Sequence, residues 1–224
     1  LVDVHRETWN MDPARIAEAL STSSASDRRA LMAVDQFGLL ADLEAIHELT
    51  SEQPRETLLL EDAACALGAT TSGGRRCGHA PAALACLSFH PRKVITCGEG
   101  GMLLTDDTAL AAELRERRNH GRDDQGRFRR SAGNQRLSGL GAALGLSQLR
   151  RLDSFIARRR ELAARYRERL EPLRSAGLIA LQRPDPGHVY QTFAVALEGE
   201  ADPQLRDDLV AALRARGVES GIAT

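Results

Sequence analysis

Four short apolar runs, Leu31 to Val34, Thr57 to Leu60, Ala83 to Phe89 and Met102 to Thr105, alternate with stretches whose apolar residues recur at helical spacing. Strands that are apolar on both faces belong to covered sheets, and parallel neighbours need crossover connections. The alternation therefore predicts an α/β architecture with a largely parallel sheet. Helices are predicted over Asp12 to Leu20, Ala41 to Leu49 and Thr108 to Arg118, the first opened by Asp12-Pro13 as a cap and a first-turn proline. A long helix from about Leu152 to Leu170 leads to Pro172 and Gly177. A strand from Val189 to Leu197 and a helix from Pro203 to Arg216 then begin a second α/β unit. The first residues, Leu1-Val2-Asp3-Val4, read as part of a strand, and Gly221-Ile222-Ala223-Thr224 does not complete an element. Both ends read as cut.

The 224 residues suffice for one large or two modest domains, and a hydrophobic share of 42% with 27% charged residues is that of an ordinary globular protein. No apolar stretch is long enough to span a bilayer and no signal peptide is recognisable, so the expected location is cytoplasmic, with no membrane partner. Cys65, Cys77, Cys86 and Cys97 lack the close pairing of a zinc site or a redox motif, which predicts reduced thiols and no metal. The net charge of −1 hides an arginine-rich region from 111 to 175. Within it Leu152, Ile156, Leu162, Tyr166 and Leu170 keep helical register among the charges, as on a solvated amphipathic helix. Interleaved aromatics of a single-strand binder are missing, so no nucleic-acid partner is expected.

Of the 30 basic residues all but one are arginine, and the single lysine, Lys93, stands in Ser88-Phe89-His90-Pro91-Arg92-Lys93 directly after an apolar run. Arginine replaces lysine wherever only a solvated charge is wanted, but a guanidinium cannot condense with a carbonyl. Compositional drift toward arginine is the other explanation, and the neighbours decide between them. Asp62 lies at the carboxyl end of a predicted strand, where open α/β sheets place ligands. A carboxylate there either meets a cationic ring nitrogen or caps the turn Ala63 to Gly68. Ser88 and Lys93 close the next run, and Gly98-Glu99-Gly100-Gly101 turns into another. An amine, an acid and a hydroxyl converging on one sheet edge are what pyridoxal 5'-phosphate requires: an attachment point, a partner for its ring nitrogen and a donor to its phosphate.

The order of these pieces resembles the DegT/DnrJ/StrS family of nucleotide-sugar aminotransferases. The matching stretches are Val2-Asp3-Val4 through Trp9-Asn10-Met11-Asp12-Pro13, Gln36-Phe37-Gly38 with Ala41-Asp42, Glu61-Asp62-Ala63-Ala64, Ser88 to Lys93, and Gly98-Glu99-Gly100-Gly101. They continue with Arg118-Asn119-His120-Gly121, Asn134-Gln135-Arg136, Ala142 to Leu146 and Arg158-Arg159-Arg160. The resemblance implies a three-layer α/β fold of the aspartate aminotransferase type, with a mixed seven-stranded sheet in a large domain. Residues 1–150 would be that PLP-binding domain without its N-terminal part, 151–171 a linking helix, and 172–224 the start of a smaller C-terminal α/β domain. It implies Lys93 as the Schiff-base lysine, Asp62 as the ring-nitrogen partner, Ser88 as a phosphate contact and Cys65 at a position that touches the cofactor ring. Asn134 would reach the phosphate of the partner subunit's cofactor, which implies a homodimer. The implied reaction moves an amino group, from glutamate, to a keto-sugar nucleotide.

The chain also departs from the family. Cys65 stands where glutamine or histidine is usual, Asp35 where histidine is, Leu40 where proline is, Ala83 where an aspartate is, and Gly133 where an aromatic precedes Asn134. The departures at Cys65, Ala83 and Gly133 support the alternative of a catalytically inactive relative that acts as a PLP-binding or dimerising module.

Overall fold

The computed structural model describes residues 1–22, 29–52, 57–199 and 202–222. Helix α1 (Pro13–Thr22) begins as the sequence indicates: Asp12 Oδ1 accepts from the Ala14 N–H at 2.9 Å and proline occupies the first helical position. Strand β1 (Arg29–Val34) runs into a single 3₁₀ turn at Gln36–Gly38, followed by α2 (Leu43–Ser51) and β2 (Thr57–Asp62). The helix starts later than its apolar pattern suggests because Asp42 is its cap, accepting from the Ala45 N–H at 3.1 Å. The N–H of Ala41 is already held by Asp35 at 2.8 Å.

Strands β1, β2 and β3 (Leu84–Ser88) pair in parallel in chain order, and β4 (Gly101–Leu104) closes the edge antiparallel to β3. The return through residues 89–100 is closed at its base by the Phe89 N–H on Gly100 O at 2.8 Å, which folds β4 back antiparallel beside β3. Ile16, Leu43 and Ile46 from the two helices pack against Ala33 and Leu59, filling one sheet face. On the opposite face Met32, Leu58 and Leu103 are exposed. The described residues thus form a four-stranded sheet, where the resemblance implies seven strands. Leu1 to Val4 make only an isolated antiparallel bridge, Val4 to Met11, and no strand.

Helix α3 (Thr108–Arg118) falls on its expected bounds, with Asp107 as its cap. Helix α4 (Gly139–Leu149) is not predicted, since Gly139, Gly141 and Gly145 dilute its helical signal. Helix α5 (Leu152–Ser175) passes its expected end at residue 171, because Pro172 already has a helical φ and forfeits a single backbone bond near the last turn. Gly177, at φ 69°, stops it: the N–H groups of Gly177 and Leu178 return to the carbonyls of Arg174 and Leu173. Then come β5 (Ile179–Leu181), its antiparallel partner β6 (Val195–Leu197), and α6 (Pro203–Ala215). The long strand expected from Val189 shrinks to β6, since Tyr190 has φ 48° and the Val189 and Thr192 N–H groups go to Gly38 O and Phe37 O.

The α5 arginines are largely committed within the chain. Arg160 donates to His188 O, Arg159 to the carbonyls of Tyr190 and Gln191, and Arg167 to Gln182 O, while Arg158 and Arg165 pair with Glu161. Among the described residues no helix is long and apolar enough to cross a membrane, and no cluster of three or more His, Cys, Asp or Glu is arranged to hold a metal ion.

Candidate active site

Alternation along β2 sends Leu59 and Glu61 into the core and turns Asp62, its last residue, to the opposite face. The register pairs Asp62 with Cys86, so Ser88, two residues further and also the last of its strand, shares that face and that edge. Burial, and then the Asp62 carboxylate, push the Cys86 thiol upward and keep it protonated. Asp62 Oδ1 accepts from the Ala64 N–H at 3.0 Å, as a turn cap does, and among the described residues no cationic side chain pairs with it. Ser88 Oγ accepts from the His90 N–H at 3.4 Å.

Lys93 sits in the loop that follows, with its N–H on His90 O at 2.9 Å. The loop is braced from three directions. Phe89 closes its base, donating to Gly100 O at 2.8 Å and accepting from the Cys97 N–H at 3.1 Å and Thr96 Oγ1 at 2.8 Å. Gln148 of α4 bonds both backbone groups of Thr96, at 2.5 and 3.3 Å, and Gln191 Nε2 donates to Arg92 O at 2.6 Å. Val94 packs against the core cluster of Ala63, Leu87, Ile156 and Val189. The half-buried amine is thereby held over the sheet edge, where Nζ donates to Cys65 Sγ at 3.2 Å. Four of the five residues singled out from the sequence, Asp62, Cys65, Ser88 and Lys93, thus lie at or just beyond the carboxyl ends of β2 and β3, with Lys93 and Cys65 in contact.

Asn134 does not join them within the chain. It is exposed, bridged to Asn119, and its Oδ1 accepts from the Arg136 N–H at 3.2 Å. Sequence reasoning missed the residues that hold the site rather than face it: Thr96, Gln148 and Gln191. They are polar residues of common type, and only the fold brings them to the loop. Gly38, at φ 102°, is constrained by the same packing, since a Cβ there would lie 2.7 Å from Val189 Cγ2 and 3.0 Å from Cys65 O.

An amine in contact with Cys65, near the sheet edge that carries an acid and a hydroxyl, has the chemistry to condense with a carbonyl. A sequence profile described as the DegT/DnrJ/EryC1/StrS aminotransferase family matches residues 1–223. The chain belongs to this family. Among its relatives in the DegT/DnrJ/EryC1/StrS family, GDP-perosamine synthase of Caulobacter vibrioides is 36% identical over 222 residues, 98% of this chain and 57% of that protein. The dTDP-3-amino-3,4,6-trideoxy-alpha-D-glucose transaminase of Streptomyces venezuelae is 35% identical over 220 residues, 98% of this chain and 54% of that protein. The crystal structure of S. venezuelae DesV in complex with a ketimine intermediate superposes with a TM-score of 0.81 at 34% identity, covering 97% of this chain and 55% of that one. The chain therefore spans just over half the length of the relatives it matches. The family assignment and the aminotransferase fold expected from the motifs are borne out.

Proposed function

We propose that the protein is a PLP-dependent aminotransferase that transfers an amino group, from glutamate, to the keto group of a nucleotide-linked sugar, working in the cytoplasm as a homodimer. The observation that supports this reading is the solitary lysine amine, in a loop braced from three directions and in contact with Cys65 just beyond the strand end that carries Asp62. The names of the two sugar-nucleotide relatives support the substrate class.

The residues present fit the cofactor. Lys93 is the one side-chain amine of the chain able to hold its aldehyde carbon. Asp62, with no cationic partner among the described residues, has a carboxylate to offer a protonated ring nitrogen; Ser88 offers a hydroxyl to the phosphate. Cys65 puts a small, polarisable sulfur where the ring would pass. When bound, pyridoxal 5'-phosphate supplies an electron sink for the carbon that gains or loses its amino group. With the cofactor bound, Lys93 Nζ would be placed to act as the base that moves a proton at the carbon that gains or loses the amino group. Asn134 of the partner subunit contributes to the phosphate site. Residues 1–150 serve as the cofactor domain, α5 (Leu152–Ser175) as the linking helix and the residues after it as part of the second domain.

The test is to incubate the protein with PLP, isotopically labelled glutamate and GDP- or dTDP-linked keto-sugars. Label recovered in an amino-sugar nucleotide is the expected result. A folded, PLP-loaded protein that labels none of them refutes the proposal.

A further inference from the structure

Two carboxyl groups with no part in the proposed chemistry lie directly behind Asp62. Asp35 follows β1 and Glu61 precedes Asp62 on β2; both are fully buried. The strand ends are joined there, for the Asp35 N–H donates to Asp62 O at 3.0 Å. Each acid has one oxygen satisfied: Asp35 Oδ1 by the Ala41 N–H at 2.8 Å, Glu61 Oε2 by the Gly78 N–H at 2.7 Å. The other two, Asp35 Oδ2 and Glu61 Oε1, are buried and receive no hydrogen.

Arg75 does not supply one. Its Nε is given to Glu44 of α2 at 2.7 Å, and Nη2 reaches Ala41 O at 3.5 Å. Nη1 lies 3.5 Å from Glu61 Oε1, close enough for attraction but without a hydrogen bond, and is itself unpartnered. The remaining titratable neighbour is Cys77 of the 63–78 loop, whose thiol burial pushes up to about 11, so it stays neutral. Two ionised acids would thus face one guanidinium already shared with an exposed third acid, an arrangement that a buried site does not tolerate. A single proton removes the difficulty, because it turns one of two opposed acceptors into a donor.

We propose that Asp35 and Glu61 hold one proton between Oδ2 and Oε1, so that Asp35 clamps the carboxyl ends of β1 and β2 and acts as a positioning residue for Asp62. The clamp follows from the two orphaned oxygens; its bearing on Asp62 rests on the functional reading above. Burial first, and then the Glu61 carboxylate, hold Asp35 well above the usual carboxylate range, with Arg75 opposing. The folded chain therefore keeps a proton that the unfolded chain releases. Stability is lost as pH rises from the ordinary carboxylate range through the raised value of Asp35, and is flat beyond it.

Asparagine separates the clamp from the proton. In Asp35→Asn the amide oxygen still accepts from Ala41 while the NH₂ donates permanently to Glu61, and Glu61→Gln supplies the donor from the other side. The experiment measures the thermal midpoint of the cofactor-free protein from the ordinary carboxylate range, about pH 4, up to about pH 9, with PLP affinity determined on the same samples. Relative to both variants, the native midpoint is expected to fall by several degrees across that range, with native PLP affinity declining in parallel relative to theirs. Native and variant profiles of the same slope would overturn the shared proton. A native midpoint that falls while PLP affinity stays constant with pH would overturn the positioning role. If no sample binds PLP at any pH while the midpoints still diverge, the shared proton stands; the positioning role fails together with the functional reading of Asp62.

Discussion

Acidification should loosen the segment that braces the Lys93 loop, and His188 sets the size of the effect. Its ring is 1% exposed and stacks on Tyr190 at 3.9 Å between centroids. Nδ1 accepts from the Tyr190 N–H at 3.0 Å, so the single proton sits on Nε2, 2.9 Å from Gln182 Oε1. A second proton would aim one N–H at another and place a charge near Arg160 and Arg167. Burial foremost lowers the imidazole from 6.5 to about 4. Because the folded chain refuses a proton that the unfolded chain takes, stability is lost as pH falls from 6.5 toward about 4 and levels off below. The depression is worth about 2 kcal/mol at pH 5 and about 3 kcal/mol at pH 4. Urea unfolding at several pH values, in the native protein and in His188→Gln, isolates this share from that of the carboxylates. The difference between the two curves should grow by about 2 kcal/mol from pH 7 to pH 5. Curves that stay parallel would show that His188 does not titrate as its burial demands.

Asp62→Asn keeps shape but removes charge, so turnover should fall about a hundredfold or more while PLP binding weakens less; turnover within a few-fold of the native value would leave Asp62 as a cap for Ala64 alone. Gln148→Ala removes both bonds to Thr96 and should cost about 1 to 2 kcal/mol, read as faster amide exchange confined to residues 89–98, and exchange unchanged there would mean that α4 does not brace the loop.

Much of the site was legible because its residues stand at the ends of apolar runs. Leu58-Leu59-Leu60 had to be a buried strand, and a charged pair after it had to straddle the sheet edge, one acid inward and one outward. Lys93 stood out because no other lysine shares the chain. Helix α4 was hidden because its helicity comes from contact with the 96–98 loop and not from propensity, which three glycines lower. The reversed direction of β4 depends on the return through Phe89 and Gly100, a local geometry that its apolar pattern does not carry. Asp35 and Glu61 meet only through the register that pairs Val34 with Asp62, so nothing in their sequence spacing announces them. The same holds for Lys93 and Cys65, whose contact exists only because the 63–68 turn folds back beneath the loop.

The account rests most directly on Lys93 as the attachment point. The protein is to be saturated with PLP, reduced with borohydride, digested and mapped by mass spectrometry, with Lys93→Arg as the parallel sample. The expected result is a pyridoxyl group on the peptide that contains Lys93, and none there in the variant, which keeps the charge and the fold but has no side-chain amine. A pyridoxyl group found only on the α-amine, equally in both proteins, would contradict the central claim.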